Sequence, residues 1–559
     1  MRRQHLTASA LAAALALIGA STADASTFCV PDYSAACPNN GTNIKAVSFE
    51  NALQAFDSDG VKDTIRLAPV VVTDTETMST DSGGSDPLEI IGASTGQSVI
   101  TSSSTANEYV LNLEPGSRDV KMRDLTIRLP ASFPSGLGGG AQVRKATLEN
   151  VDVDSQNPGG SSGIDFVGGG TYRDGRMYAS NGGELGDGIA TNDAAAGTML
   201  IERATLESPS WGIKVYGPDV PVTVRKTTVT DAGAYGVRVS ENGNVAMENS
   251  VVTSSTGHAV SLEANSTGSA AFTGDHVTFT GNAASGDAAL EVTATSQSTG
   301  AMQATALVTN AIVRGFAESW HRTAPVSASK GNANVSFQYS NVAMTGTSTG
   351  DGSVNTVLGN IDADPKFLGS GEHPLKLKTN SPSVDAGNPG AAGITEDLLG
   401  TKRPQDGNFD GTIRRDQGAY ELPEIKIFLP GGGGSVGPAP AGETPSGTVE
   451  PQPQGEPQPQ GGTQTTEPVA KDTLAPKLTG LKLKGRTVRF TLNEAAKVEL
   501  KFKRGKKTVT IRVSGKVGKN VVTLKRAKVR AARWRLTVSA VDTAGNRTQL
   551  KARKLTIKR

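Results

Sequence analysis

Apolar and polar residues alternate in short segments of this chain, and one such segment returns at a nearly constant interval. The segments SGIDF, DGIAT, WGIKV, YGVRV, HAVSL and AALEV align on a central apolar residue. The aligned residues, at successive intervals of 25, 24, 24, 23 and 30, are Ile164, Ile189, Ile213, Val237, Val260 and Leu290. Alternation with a period of two predicts β-strands. The recurring interval predicts that these strands belong to stacked repeats of one structural unit.

A second set of strands recurs at a similar interval. It is centred on Leu125, Val151, Val229, Val252, Val277 and Ile312. Two strands per repeat are typical of a parallel β-helix, whereas a β-sandwich needs a hairpin turn about every 8 to 12 residues. Stacking places the first set in one interior column, with about 4.8 Å between neighbouring strands. Left-handed turn residues are expected just before the second strands, at Asn150, Asn249, Asn310 and Asn341.

The first 60 residues have the features of an exported protein. Arg2 and Arg3 precede a short apolar run and small residues that end at Ala25, which predicts a signal peptide over 1–25. No apolar stretch is long enough to span a membrane as a helix. Over 26–60 we expect a disulfide between Cys29 and Cys37, then a helical cap over 48–60 that covers the first coil of a β-helix extending over 61–422.

Composition changes sharply after residue 422. Residues 423–472 are rich in Pro, Gly and Gln and have few apolar residues to bury, which predicts an extended linker. Alternating strands over 473–559 predict a small β-sandwich. Residues 471–559 contain 27 Lys and Arg against 4 Asp and Glu, a net charge of +23, and the remainder carries −21. This charge favours attachment to a polyanion of the cell envelope, and a basic surface without a partner is the alternative.

Four motifs follow one another in residues 360–422. They are DPKF at 364–367, SPSVDAG at 381–387, DLLGTKRP at 397–404 and DQGAYE at 416–421. In this order they resemble the choice-of-anchor Q domain of exported proteins. The preceding repeats are similar to the bacterial right-handed β-helix repeat family with its pectate-lyase-like solenoid, and AVDTAGN at 540–546 resembles the last hairpin of bacterial Ig-like or fibronectin-like modules. The resemblances imply an exported, surface-displayed right-handed β-helix and imply no reaction.

Aromatic and basic residues are candidates for glycan binding. Trp211 and Tyr235 stand two positions before an interior apolar residue, as does His258, while Lys214 and Arg238 follow one by a single position. Strict alternation places Lys214 and Arg238 outside and the three rings in the core, which is the interpretation we favour. A bulge at the intervening glycine would turn the rings outward instead. There, with Lys214 and Arg238, they would suit an acidic glycan.

A polysaccharide lyase or glycoside hydrolase is the alternative function. Such enzymes use clustered carboxylates, and lyases add a cationic base. The residues of these types on successive repeats are Asp152, Asp154, Asp165, Asp187, Lys214 and Arg238. Aspartate is also common at β-helix turns, and the sequence has none of the signature clusters of pectate lyases or polygalacturonases. The sequence therefore leaves catalysis open and favours a binding protein.

The segment RPQDGNFDGTIRRDQGAYE, at 403–421, begins like an EF-hand loop. Asp406, Asn408 and Asp410 occupy positions one, three and five, and a glycine follows at six. Position twelve is Gln417 instead of the expected Glu, which favours a structural turn that closes the β-helix. In that turn Arg403 would pair with Asp397 or Asp416, and Tyr420 would cover the last coil. The alternative is a calcium ion bound by Asp406, Asn408, Asp410 and Asp416, the one cofactor that the sequence suggests.

Together these features predict a secreted or cell-wall-associated protein. Its expected partner is a polysaccharide or an envelope polyanion, and nucleic acid is a less natural partner outside the cell. We expect a monomer. The five histidines are scattered along the chain, which argues against a histidine metal centre.

Overall fold

The computed structural model divides into two compact units, Met1–Gly433 and Gly434–Arg559. Both are all-β, and the first is a parallel β-solenoid, which confirms the predicted fold class. The predicted signal peptide and almost all of the linker lie outside the described residues. The structure describes residues 25–55, 61–74, 78–79, 86–103, 109–113, 119–133, 138–192, 197–217, 221–265, 268–295, 302–326, 331–390, 393–408, 410–424, 476–484, 486–492, 496–504, 507–515, 518–524, 529, 532–541, 547–549 and 553–557.

Among the described residues, the first unit contains one short helix, one 3-10 turn at Ala283–Ser285 and the solenoid strands. The elements begin with β1 Thr27–Val30, β2 Ile44–Lys45, α1 Phe49–Gln54, β3 Asp63–Leu67, β4 Val71–Asp74, β5 Met78–Ser79, β6 Leu88–Ile91, β7 Val99–Ser102, β8 Tyr109–Leu113, β9 Val120–Leu129, β10 Gly139–Ser155 and β11 Ser162–Arg173. They continue with β12 Arg176–Ala179, β13 Leu185–Asn192, β14 Met199–Glu202, β15 Thr205–Glu207, β16 Pro209–Val215, β17 Pro221–Arg225, β18 Thr228–Ala232, β19 Tyr235–Ser240, β20 Asn244–Glu248, β21 Val251–Ser254 and β22 His258–Ala264. The last are β23 Ala270–Asp275, β24 Thr278–Thr280, β25 Ala288–Ala294, β26 Met302–Thr309, β27 Ile312–Arg314, β28 Glu318–Thr323, β29 Gly331–Gln338, β30 Asn341–Val342, β31 Gly346–Thr349 and β32 Gly352–Asn355.

These strands form three parallel faces, which we name sheets A, B and C. Sheet A contains β5, β8, the first part of β10 and of β11, and then β13, β16, β19, β22, β25, β28 and β31. Sheet B runs from β1 to β32 through β14, β17, β20, β23, β26 and β29, and sheet C runs from β4 to β30 through β12, β15, β18, β21, β24 and β27. The long strands β9, β10 and β11 bend from one sheet into the next.

The interior column of sheet A has the predicted register. Each aligned apolar residue pairs with its counterpart one coil later. In order, the column contains Ile164, Ile189, Ile213, Val237, Val260 and Leu290, all fully buried. Burial of one such side chain stabilises a fold by about 1.5–3 kcal/mol. The column is therefore a major part of the core.

The second strand series is shifted in the last coils. Val252 pairs with Phe279 rather than with Val277, and Phe279 pairs with Val313 rather than with Ile312. Ile312 faces away from the interior and packs against the C-terminal segment. Because both faces of these short strands are apolar, alternation alone does not identify the interior residue.

Left-handed residues mark the bend from sheet B to sheet C. Asn150, Asn249 and Asn310 have φ angles of 54°, 46° and 53°, as predicted, but Asn341 lies in a strand and Tyr339 is left-handed instead. The other members of this column are Asp124, Asp174, Arg203, Lys226 and His276. Positive φ is uncommon outside glycine, and asparagine tolerates it best among the rest. The place in the coil therefore sets the conformation, even where the residue type is poorly suited.

The chain after β32 folds back over the outer face of sheet C. The Gly418 N–H donates to the carbonyl of Asn310 over 2.7 Å, and the Ala419 N–H donates to Thr278 Oγ1 over 2.9 Å. Tyr420 packs in a small cluster with Val251. The prediction that Tyr420 covers the last coil is therefore wrong. The segment covers the side of the solenoid because strands of sheet C present apolar residues outward there.

Arg403 is buried within this segment. Its guanidinium donates to the carbonyls of Asp416 and Gly418, over 3.3 and 2.9 Å, and its Nε lies 3.5 Å from the Glu421 carboxylate. The Asp397 and Asp416 carboxylates accept main-chain N–H groups instead. Glu421 is thus the ion-pair partner, where Asp397 or Asp416 was predicted. Burial raises the pKa of Glu421 to about 7.

The other end of the solenoid has a short cap. A disulfide joins Cys29 and Cys37, whose Cα atoms are 5.7 Å apart. Ser48 caps the helix α1 by accepting the Asn51 N–H over 3.0 Å. The helix ends at Gln54, and its buried residues join the solenoid core. Residues 56–60, the rest of the predicted helical cap, lie outside the described residues.

The second unit is a pair of small antiparallel sheets. Its strands are β33 Leu478–Lys484, β34 Thr487–Leu492, β35 Ala496–Arg504, β36 Lys507–Gly515, β37 Gly518–Thr523, β38 Ala532–Val541, β39 Arg547–Gln549 and β40 Arg553–Ile557. One sheet has the order β33-β34-β37, and the other β36-β35-β38-β39 with β40 also paired to β38. Their inward residues form one core that includes Phe490, Phe502 and Trp534. This arrangement fits the predicted β-sandwich.

We expect acid to destabilise the solenoid through His276. Burial and the nearby Arg403 charge lower the pKa of His276 from 6.5 to about 4. Between these two values only the unfolded chain takes up the proton, so folding stability falls as pH falls, by about 3 kcal/mol in total. His276→Asn should remove this loss, since asparagine suits the left-handed backbone. Urea unfolding at pH 7 and pH 4 measures the difference.

The control substitution is His321→Asn, which removes an exposed imidazole from sheet A. Parallel pH curves for the wild type and His276→Asn would contradict the expectation. A smaller acid-induced loss in His276→Asn alone would support it.

Candidate functional site

Three aromatic rings line the outer face of sheet A on consecutive coils. Trp211 pairs with Tyr235, and Tyr235 pairs with His258. All three are half-buried, outside the core, and beside the outward residues Lys214 and Arg238. The favoured interpretation, which placed these rings in the core, is therefore wrong. The alternative with the rings outward describes the structure.

Glycine explains this orientation. Gly212 and Ile213 both face inward, so the alternation shifts by one position and Trp211 turns outward. A Cβ at Gly212 would lie 2.3 Å from the Gly236 carbonyl oxygen and 2.7 Å from Val229 Cγ1. Only glycine fits this close approach. The small residues that continue the column on either side are Gly140, Gly163, Gly188, Gly236, Ala259 and Ala289.

Cations lie against the rings. Lys214 Nζ is 4.5 Å from the centre of the Trp211 ring, and the Arg238 guanidinium is 5.3 Å from Trp211 and 5.2 Å from Tyr235. Trp211 meets Tyr235 edge to face at 5.5 Å, and Tyr235 stacks on His258 at 5.7 Å. Such contacts hold aromatic side chains in fixed positions at a surface. We name Trp211, Lys214, Tyr235, Arg238 and His258 the aromatic patch.

Carboxylates neutralise both cations of the patch. Lys214 Nζ lies 3.2 Å from Asp187 Oδ2, and Arg238 forms an ion pair with Glu263. His258 donates a hydrogen bond of 2.8 Å from Nδ1–H to the Ala288 carbonyl oxygen, because a carbonyl only accepts. Next to the patch is an open cleft of about 250 Å³, lined by Tyr235, Arg238, Ser261, Leu262, Glu263, Glu291 and Thr293. The surface is therefore polar and mixed in charge.

Asp165 lies on the same sheet, near the patch. Its Oδ2 accepts a 2.5 Å hydrogen bond from the Tyr109 hydroxyl, and its buried Oδ1 has no donor among the described residues. Burial raises the pKa of Asp165, and the Asp187 charge raises it further. Sheet A thus brings together Asp165, Asp187, Lys214 and Arg238 of the predicted catalytic set.

Asp152 and Asp154 belong to a different face. Both are in β10 where it runs in sheet C. Asp152 Oδ1 accepts the Arg176 N–H over 3.0 Å, and Asp154 Oδ2 forms a 2.8 Å ion pair with Arg128. The six candidate catalytic residues therefore do not share one face, because a single coil places residues that are close in sequence on two different sheets.

The structure does not bring all of the predicted calcium ligands together. Oxygens of Asp406 and Asp410 lie within 4.8 Å of each other and of Asp385, a residue outside the predicted ligand set. Asp416 is buried elsewhere and accepts main-chain N–H groups of Asp385 and Leu422. No sequence spacing signals Asp385, because it belongs to another loop 21 residues earlier than Asp406.

The second unit, Gly434–Arg559, which we name the basic unit, contains paired like charges that the spacing of its residues does not indicate. Lys482 is directly opposite Arg489 across two antiparallel strands, and Lys503 is opposite Arg535. All four residues are exposed. Alternation along a single strand does not show which residues of two strands are opposite each other, because that depends on how the strands pair.

Comparison with known proteins identifies no family. No family model and no curated protein matches the chain, so the resemblance of residues 360–422 to choice-of-anchor Q domains stays a prediction. The solved structures that match include ORF18 of Geobacillus virus E2, with 8% identity and a TM-score of 0.30, and tailspike protein 3 of bacteriophage CBA120, with 13% identity and a TM-score of 0.21. The alignments cover 55% and 60% of this chain, and 56% and 61% of those proteins. Scores this low say nothing about the chemistry of a site.

In the described part of the chain, no helix has both the length and the hydrophobicity needed to cross a membrane.

Proposed function

We propose that this chain is a secreted surface protein that binds carbohydrate on sheet A and attaches to an envelope polyanion through its basic unit. The observation that carries the first half of the proposal is the outward aromatic patch. The polar cleft of about 250 Å³ beside it offers further contacts. Export rests on the N-terminal sequence alone.

The chemistry of the patch suits a sugar. A half-exposed indole offers an apolar surface to the C–H groups of a sugar ring. Carboxylates and cations around it can accept and donate hydrogen bonds to hydroxyl groups. Trp211, Asp187 and Lys214 supply all three kinds of contact within two neighbouring coils.

The charges favour a neutral glycan over the acidic one suggested by the sequence. Lys214 and Arg238 each already have a carboxylate partner, Asp187 and Glu263. An acidic sugar would have to compete with these partners for the cations. A hydroxyl-rich neutral sugar would instead bond to the ion pairs as they stand.

Truncating the patch is expected to weaken glycan binding at least tenfold. Trp211→Ala and Tyr235→Ala each remove a ring from the outer face and leave the interior column intact. The matched control is Tyr178→Ala, which removes a half-buried tyrosine of sheet C whose ring is 4.3 Å from the Arg176 guanidinium. Binding of the mature chain to an array of neutral and acidic glycans measures the effect.

Equal binding by all three variants would contradict the proposal, and so would the lack of any bound glycan. Stronger retention of acidic than of neutral glycans by the patch would contradict the charge argument alone.

Cleavage of the glycan is the second candidate function. It is favoured by Asp165, a buried carboxyl group with a raised pKa on the same sheet as Asp187 and Lys214. Such a group is suited to donate a proton. Products with new reducing or unsaturated ends, formed by the wild type and lost in Asp165→Asn, would show that the protein is an enzyme.

The basic unit supports attachment by charge. Like charges directly opposite one another destabilise a sheet, yet Lys482 faces Arg489 and Lys503 faces Arg535. A polyanion bound over either pair would reduce the repulsion within that pair and release the counterions of the polyanion. The net charge of +23 on residues 471–559 acts in the same direction.

Retention of the mature chain on immobilised anionic cell-wall polymer should fall steeply with salt. Lys503→Glu combined with Arg535→Glu should lower the eluting salt concentration and reduce the slope of log affinity against log salt by up to about 2. Lys45→Glu with Lys62→Glu changes the net charge equally, at exposed lysines of the solenoid. Equal effects of the two double variants would show that retention depends on the net charge of the chain and not on the position of Lys503 and Arg535.

A further inference from the structure

In the loop that contains Asp406, Asn408, Asp410 and Gly411, main-chain N–H groups donate to the acidic and amide side chains of the same loop. The Asp410 N–H donates to Asp406 Oδ1 over 3.1 Å and to Asn408 Oδ1 over 2.9 Å. The Gly411 N–H donates to Asp406 Oδ2 over 3.0 Å. These residues occupy positions one, three, five and six of an EF-type loop, which collects oxygen atoms around a cation. Such a loop alone is not evidence of a bound ion.

The independent observation is Asp385. Only 6% of this residue is exposed, and its Oδ2 is buried with no hydrogen-bond donor among the described residues. Its other oxygen accepts the Arg414 N–H over 3.2 Å. Oxygens of Asp385, Asp406 and Asp410 all lie within 4.8 Å of one another. A buried carboxylate oxygen without a donor, held beside two further carboxylates, needs a cation or a proton.

Gln417, at position twelve of the loop, makes hydrogen bonds to other segments. The Gln417 amide donates to the carbonyls of Tyr339 and Ala386, over 2.8 and 3.2 Å. Asp416 accepts two main-chain N–H groups and lies beside the buried Arg403 and Glu421. Gln417 has no carboxylate and the Asp416 carboxylate already has other partners, so a further carboxylate has to come from another segment.

We propose that Asp385, Asp406, Asn408 and Asp410 bind one calcium ion, with Asp385 in the place of the EF-hand glutamate. Three carboxylates and one amide are hard oxygen donors, and a set of four such protein ligands suits Ca²⁺ better than Mg²⁺, which keeps several of its water ligands. By the loop spacing, the main-chain carbonyl of Thr412 is the further ligand at position seven.

The bound ion would fasten the C-terminal segment to the solenoid. Asp385 belongs to the turn whose neighbour Asn388 donates its N–H to Asn310 Oδ1 over 2.6 Å. The acidic loop leads into Gly418, which bonds to the carbonyl of the same Asn310. Calcium would therefore join two loops that both contact one coil of sheet C. Burial raises the pKa of Asp385 to about 6, and a cation would offset the same cost of a buried charge.

Titration of Ca²⁺ alone into the chelator-treated mature chain tests the site. Isothermal titration calorimetry should show one ion per chain, and 1 mM Ca²⁺ should raise the thermal midpoint. Asp385→Asn and Asp406→Asn should each weaken binding at least tenfold and abolish the thermal shift. Without calcium, Asp385→Asn should unfold at the wild-type temperature or above it, because it removes a repelled carboxylate and keeps the acceptor for Arg414.

Two further variants keep the test decisive. Asp410→Asn, at an exposed ligand, reports on the site even if Asp385→Asn fails to fold. Asp231→Asn, at an exposed left-handed position of the solenoid, makes the same chemical change away from the loop and should bind as the wild type does. No calcium binding by the wild type would overturn the proposal. Unchanged affinity in the Asp385, Asp406 and Asp410 variants would also overturn it, by placing the ion elsewhere on the acidic solenoid.

Discussion

The structure depends on hydrogen bonding between each coil of the solenoid and the next, in register. Parallel strands about 4.8 Å apart place every residue over its counterpart in the preceding coil. Residues at the same position of successive coils therefore form a column along the solenoid. The fully buried column from Ile164 to Leu290 is one consequence. Another is the left-handed column, in which Lys226 and Tyr339 take a backbone conformation better suited to asparagine.

The interior column of small residues that includes Gly212 shows how close packing inside the solenoid determines which side chains face outward. Gly212 leaves no room for a side chain because the next coil approaches too closely. The strand therefore faces two consecutive residues inward, and Trp211 turns to the outside with Tyr235 beside it. The same register that excludes side chains inside the coil aligns aromatic rings, cations and carboxylates outside it. A binding surface of this kind needs no pocket, because each coil adds one row of contacts.

Sequence periodicity predicted the solenoid and its sheet A column because both are repeated, local patterns. It failed where a contact joins distant segments. Tyr420 packs against Val251 on the side of the solenoid, and no local pattern records that approach. Asp152 and Asp165 lie on different sheets because the bends inside a coil, not the sequence distance, decide which face a residue joins. Asp385 meets the acidic loop for the same reason, through the fold of two separate turns.

The register itself is measured most directly by spin-label distances along one outward column. Gln142, Lys214, Glu291 and Thr347 belong to a single column of sheet A, in which Glu291 is six coils from Gln142 and Thr347 is eight. Labels on Gln142→Cys with Glu291→Cys, and on Gln142→Cys with Thr347→Cys, should give distances of about 29 and about 38 Å by double electron–electron resonance. Distances that do not grow with the number of coils would contradict the in-register solenoid and every surface derived from it.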